Sequence, residues 1–416
     1  MATVPLTSGG STTIDRRCAE LNEPWVDMRA SAARPGRRPP RSVANLGPVG
    51  LLLFLLLWAT LGCGGVASHS PESVGGAGGA NGEALVKQVS VGMSYSCALL
   101  VDGTAKCWGY NSNGQLGIDP GCQTVVDCTA FWSITPVTVQ DLRDAVQIKA
   151  GYLRTCAALA DGTASCWGHA AQLDNGARTD SAWPIMVQGL TNVSAVTESC
   201  ALLGDGTVSH WGGEQPPAVV EGLSNVDEIA GGVGHTCARV RGGTVWCWGD
   251  NNRGQLGDGT AVYRSEPVMV QGLSAVQAVS ATDFYSCALL EGGTVKCWGE
   301  NTYGQLGDGT TIDRSVPVDV QGLSNVAGIS AGRETTCALL FDGTVACWGK
   351  SVGQNDLTPV SVPGVTGAVM VAAGDGHACA LLRDGTVKCW GNNVYGQLGD
   401  GTRTSSSLPV TVTELP

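Results

Sequence analysis

From Val86 onward the apolar positions fall in runs of four to seven residues cut by glycine-bearing breaks, and four such runs make a unit that repeats. The clearest unit reads VQAVSA (276–281), SCALL (286–290), TVKCWG (294–299) and PVDVQGL (317–323). Runs of that length, rich in Val, Thr and Trp, predict strands rather than helices. A word beginning Cys-Ala recurs at Cys97, Cys156, Cys200, Cys237, Cys287, Cys337 and Cys379, and Trp-Gly follows each cysteine by eleven residues. Seven copies with four strands apiece predict an all-β fold, a seven-bladed β-propeller. A lone four-stranded sheet buries both faces only by stacking on neighbours around a ring. The first strand VKQVSV (86–91) and the last, PVTV (409–412), make the number of blades whole. A row of sandwiches is excluded, because each would need about 100 residues for its own core.

The turn within each copy is VDG (101–103), ADG (160–162), GDG (204–206), RGG (241–243), EGG (291–293), FDG (341–343) or RDG (383–385). A three-residue loop ending on a left-handed glycine pairs Leu100 with Thr104 and therefore Cys97 with Cys107. Opposed Cβ atoms lie about 4.5–5.5 Å apart, close to disulfide geometry. One hairpin bridge per blade is thus expected: Cys97–Cys107, Cys156–Cys166, Cys237–Cys247, Cys287–Cys297, Cys337–Cys347 and Cys379–Cys389. The third copy sets Cys200 against His210, which predicts a buried free thiol. Zinc sites want two close cysteine pairs, and these pairs sit in separate blades. The recurring GQLGDGT resembles a calcium loop at DNNRGQLGD (250–258), yet Gly254 falls where an oxygen ligand belongs. No metal and no cofactor are expected.

Ahead of the repeats, Arg29, Arg34, Arg37, Arg38 and Arg41 precede the apolar run VGLLLFLLLWATLG (49–62) and Cys63. That order is a secretory signal, too short for a membrane span of about 20 residues. TLGC (60–63) resembles a bacterial lipobox, with Thr60 and Leu61 off pattern, so Cys63 is the expected lipidation site. Seventeen cysteines likewise suit an oxidising compartment. The expected organisation is residues 1–27 untranslated or disordered, 28–62 signal peptide, 63–85 flexible tether and 86–416 propeller. The expected location is the bacterial cell envelope, periplasmic or surface-exposed, held to the membrane by lipid on Cys63.

The consensus GxxxTCALLxDGTVxCWGxNxxGQLGDGTTxxRxxPVxVxGLxxV, legible at 232–276 and 282–326, strongly resembles the regulator of chromosome condensation repeat. The resemblance covers Val86 to the C-terminus and implies the same seven-bladed ring. It implies little about function, because the family includes a nucleotide exchange factor, a plant ultraviolet-B photoreceptor, ubiquitin-ligase modules and a secreted enzyme inhibitor. The net charge is −12, and residues 1–62 hold seven of the basic against four of the acidic groups, leaving 17 against 32 after cleavage. Such a chain repels phosphate backbones, which argues against nucleic acid and against an exchange role on chromatin. Seven of the twelve tryptophans are the Trp-Gly residues of the blades, which argues for structure over light sensing.

No G-x-S-x-G, H-E-x-x-H or phosphate-binding loop occurs, so no catalytic residue is assigned. Departures from the repeat are the candidate binding positions. Two residues before each blade cysteine stand Tyr95, Arg154, Glu198, His235, Tyr285, Thr335 and His377, which would form a variable ring around one face. The insertion IDPGCQTVVDCTAFW (118–132) carries Cys122 and Cys128, expected to bridge locally and to present Phe131 and Trp132 as an anchor. Blades two, three and six shorten the same region. The reading is a monomeric, non-catalytic protein-binding or scaffold module on the envelope, with inhibition of a secreted enzyme as its sharper form. A hydrolase or lyase in the propeller channel is the alternative, marked by ionisable groups with perturbed pKa values at the ring face.

Overall fold

The computed structural model describes residues 85–119, 131–169, 180–212, 215–232, 234–351 and 354–416. They form seven four-stranded antiparallel sheets, each built from four consecutive strands. The blades run Val86–Thr138, Ala145–Met186, Val193–Val219, Val226–Met269, Val276–Asp319, Val326–Ser361 and Ala368–Thr411. The predicted seven-bladed propeller is therefore present. Blade 1 packs on blade 7 through Val86, Val89 and Trp108 against Leu381, Leu398 and Val412. The ring closes on side chains, with no sheet shared between the two ends of the repeat.

The hairpins follow the turn chemistry. Leu100 N–H donates to the Thr104 carbonyl at 2.8 Å, Gly103 N–H donates back to the Leu100 carbonyl at 3.1 Å, and Gly103 has φ 81°. Asp102 Oδ1 accepts from the Thr104 amide and hydroxyl at 2.9 and 2.7 Å, which holds its carboxyl below the usual range. The register sets Cys97 against Cys107 with Cα atoms 4.0 Å apart, the narrow kind of antiparallel pair. All six expected bridges form. Cys200 stands opposite His210 as a buried free thiol, and burial pushes it up to about 11.

The remaining repeat residues hold one blade to the next. In the Gly-Gln-Leu-Gly turn of blade 5, the Gln305 carbonyl accepts from Trp348 Nε1 at 2.9 Å and from Thr336 Oγ1 at 2.7 Å, both in blade 6. Gln115, Gln255 and Gln397 receive the same two donors from Trp167 and Thr155, Trp298 and Ser286, and Trp108 and Ser96. The turn must pass close over the indole, so its last residue is glycine. A Cβ at Gly257, where φ is 67°, would lie 2.8 Å from Trp298 Nε1. Burying a Trp removes about 150–250 Å², worth at most roughly 4–6 kcal/mol, against about 1 kcal/mol for its hydrogen bond. Burial holds each seam, and the hydrogen bonds fix its register.

Candidate functional site

The seven positions two before the cysteines do not form a solvent-facing ring. Their side chains are 0–7% exposed, six of them packed between blades and Glu198 set on the channel wall, which corrects the expectation of an exposed recognition surface. Strand two of every blade is sandwiched by its neighbours, so a side chain there points into a seam. Tyr95 Oη donates to the Arg154 carbonyl at 2.7 Å and meets Thr155 Oγ1 at 3.0 Å. Tyr285 Oη reaches Thr336 Oγ1 at 2.8 Å. His235 Nε2 lies 2.7 Å from Ser286 Oγ, and His377 Nε2 lies 3.0 Å from Ser96 Oγ. Each serine hydroxyl already donates to a glutamine carbonyl, so the imidazoles donate from Nε2, and burial lowers both histidines to about 4.

Tyr, His, Tyr and His occupy this position in blades 1, 4, 5 and 7, the four that carry Gly-Gln-Leu-Gly. Arg154, Glu198 and Thr335 occupy it in the three shortened blades. The variation is coupled to the turn, a pattern legible only when the two departures are laid side by side. Arg154 sits over the Trp211 ring at 5.9 Å and reaches Cys156 Sγ at 3.3 Å, and Thr335 donates to the Lys350 carbonyl at 2.5 Å.

A different set of variable residues lines the central channel, a space of about 400 Å³ walled by the inner strands of all seven blades. Met93, Tyr152, Asp283, Arg333 and Asp375 stand there, four residues before their blade cysteines. Glu198 joins them because the loop of blade 3 is four residues shorter: Ala201 pairs with Val196, where Ala288 of blade 5 pairs with Val279. It is 4% exposed, and its Oε1 accepts from the Tyr152 amide at 3.0 Å while Oε2 has no partner among the described residues. Burial, then the charge of Asp283, raises Glu198 to about 7. Burial lowers Lys149 beside it, while Glu198 and Asp283 pull it back up. Across the channel burial, then Glu334, raises Asp375 to about 6; Arg333 lies 3.7 Å from it, and Lys350 pairs with Glu334 at 2.6 Å. Two carboxyls able to hold or release a proton near neutrality therefore face one channel.

The turns after the inner and third strands emerge at one end of the ring, and the hairpin tips at the other. Phe131 and Trp132 belong to the turn end. Phe131 is 51% exposed, and Trp132 begins the outer strand of blade 1 beneath Arg403 of blade 7, whose guanidinium lies 4.3 Å from the ring centroid. Tyr110 and Tyr395 pack beside them with centroids 4.8 Å apart and ring planes tilted by 55°, and Val394 is 47% exposed. The structure thus adds Tyr110, Tyr395 and Arg403 to the predicted pair. Cys63, Cys122 and Cys128 lie outside the described residues.

The GQLGDGT turns satisfy their own polar groups. Asp258 accepts from Thr260, Asn251 and Arg264, and Asn251 Oδ1 accepts from the Leu256 amide at 3.0 Å. Among the described residues no group of three or more His, Cys, Asp or Glu is placed to hold a metal ion.

Two profiles of the Regulator of chromosome condensation (RCC1) repeat match the chain. One matches at 86–115, 226–255, 276–305, 326–354 and 369–397, the other at 102–158, 242–289, 292–339 and 384–416. The Ultraviolet-B receptor UVR8 of Arabidopsis thaliana is 28% identical over 200 residues, 42% of this chain and 43% of that protein. The chain therefore spans under half the length of that curated relative. Human WBSCR16 is 20% identical with a TM-score of 0.49, covering 79% of this chain and 82% of that one. Yeast RCC1 (Prp20), solved bound to Kap60, is 19% identical with a TM-score of 0.48, covering 79% and 75%. These two structures are likenesses of fold alone.

Proposed function

Because the chain belongs to the regulator of chromosome condensation repeat family, we propose that it is a non-catalytic protein-binding module. Its ring serves as a rigid scaffold, and its partner docks on the turn end at the seam of blades 7 and 1. One observation carries this reading: Trp132, Tyr110, Tyr395 and Arg403 form a packed aromatic and cationic group beside exposed Phe131 and Val394. Rigid aromatics and arginine are the residue types that anchor protein interfaces, since they bury much area at little entropic cost. The basic and apolar segment ending at Cys63 supports export and lipid anchoring, which would keep the module at the cell envelope. Inhibition of a secreted enzyme is the narrower form of the same proposal.

The test is site-specific photocrosslinking in native envelopes, with the crosslinker at Phe131 or at Phe341, a 74%-exposed residue on the hairpin end. A discrete adduct from position 131 alone, weakened by Arg403→Ala, is expected. Equal adducts from both ends, or none from either, would sink the proposal. The channel carboxyls favour a second reading, a hydrolase or lyase with Glu198 as the proton donor. Any hydrolytic activity abolished by Glu198→Gln, with folding unchanged, would establish it in place of the first.

A further inference from the structure

At four seams a Gly-Gln-Leu-Gly turn of one blade fills a slot against the next, and its leucine (Leu116, Leu256, Leu306 or Leu398) is 0% exposed. Blade 6 has no such turn. Its third and outer strands instead continue as a hairpin, with Gly349 opposite Asp356 and Lys350 opposite Asn355. The slot that a turn would fill against blade 7 is a cavity of about 330 Å³, within the range of ligand sites.

Its walls repeat those of the filled slots. Thr335, Val360 and Val362 stand where Tyr285, Val318 and Val320 surround Leu306 in blade 5. Trp390 and Ala378 stand where Trp348 and Thr336 hold the Gln305 carbonyl. Trp390 is 8% exposed, and among the described residues its Nε1 has no acceptor. His377, 1% exposed, also lines the cavity, and among the described residues its Nδ1 has no hydrogen-bond partner. Thr335 in place of tyrosine widens the space, and Ala378 removes one of the two donors that make the other turns permanent.

We infer that the slot between blades 6 and 7 is a binding site for a leucine-bearing turn of another polypeptide. The turn seats its leucine between Val360 and Val362 and offers a backbone carbonyl to Trp390 Nε1, as the chain's own turns do elsewhere. A second copy cannot supply it from those turns, because all four are buried in their own seams. With one donor where the filled seams have two, the seat is reversible. This site lies away from the Trp132 group and does not rest on it.

The probe is a cyclised peptide of Tyr-Gly-Gln-Leu-Gly-Asp-Gly-Thr, the sequence of residues 303–310, added to the intact chain. The readout is the Trp390 indole N–H resonance, assigned by its loss in Trp390→Phe. A saturable shift at about millimolar peptide is expected, at least tenfold weaker when the peptide carries aspartate for leucine. Ala378→Ser, which restores the second donor, should tighten binding threefold or more. Thr335→Tyr and Ala378→Leu, which narrow the slot independently, should each abolish it. No shift at millimolar peptide, or a shift indifferent to Ala378→Ser and to both narrowing variants, overturns the site. None of these substitutions touches blade 1, so failure here leaves the aromatic face untested by it.

Discussion

Blade 5 and blade 3 are the same fold built with and without the repeat's fastenings. Blade 5 has its Cys287–Cys297 bridge, a Trp298 that donates to Gln255 of blade 4, and a Gln305 turn that grips blade 6. In blade 3 Cys200 has no partner thiol, Trp211 Nε1 has no acceptor among the described residues, and the turn is cut to Gly212–Gln215. Both nevertheless complete four strands in the same register. Trp211 is still 2% exposed, in a cluster with Val187, Val193 and Val196. Apolar stacking between blades makes the ring, and staples and hydrogen bonds are additions that a single blade can lose.

The largest test of that contrast is acid. His235 and His377 have native pKa values of about 4 against 6.5 in an open chain, so the unfolded state binds more protons between those limits. Their contribution is complete above about pH 6.5 and lost as pH falls towards 4, on the order of 3 kcal/mol for each imidazole at pH 4. Glu198 and Asp375, raised to about 7 and about 6, run the other way: their contribution is complete below the ordinary carboxylate range and lost as pH rises. A His235→Gln/His377→Gln variant should therefore gain on the wild type with every step of acidification in urea titrations. A difference independent of pH would remove the buried histidines from the seams at blades 4/5 and 7/1.

Next in size is the staple. Cys287→Ala/Cys297→Ala should cost about 2–3 kcal/mol, and His210→Cys, which completes the pair with Cys200, should return about 2 kcal/mol to blade 3. Thermal unfolding and thiol counting decide it; a free thiol at both positions 200 and 210 would contradict the register. Trp298→Phe should then cost about 1 kcal/mol more than Trp211→Phe, since only the first breaks a hydrogen bond. Equal costs would mean that the clasp contributes nothing beyond packing. The smallest effect is at Ala275, φ 53°, where other connectors place Asp144, Asn192, Asn225, Asn325 and Gly367. Ala275→Asn should stabilise by about 0.5–1 kcal/mol, and a loss would show that strain there is already relieved.

The ring, its blade count, the hairpin loops and all six bridges were legible because each rests on local rules: strand propensity, a turn glycine, and a fixed spacing between cysteines. The candidate site was not legible in the same way. Tyr95 and His377 vary among blades, and variation looks the same whether a side chain meets solvent or a neighbouring blade. Only the seam geometry separates the two. Glu198 was singled out for the wrong setting, since a loop four residues shorter carries it from the seam position to the channel wall. Arg403, Tyr110 and Tyr395 escaped notice because they meet Trp132 only where the last blade closes on the first.

Since every sheet is made of four consecutive strands, the connectors between blades are interchangeable in kind. Leu85 packs near Gly385, and Lys106 Nζ donates to the Glu414 carbonyl at 2.6 Å, so the two ends of the repeat already lie side by side. A peptide bond joining them, with new termini cut at Asp141–Asp144 or at Gly272–Ala275, would rebuild the same seven sheets in a rotated order. For a gene, that makes the blade the unit of duplication, loss and repair.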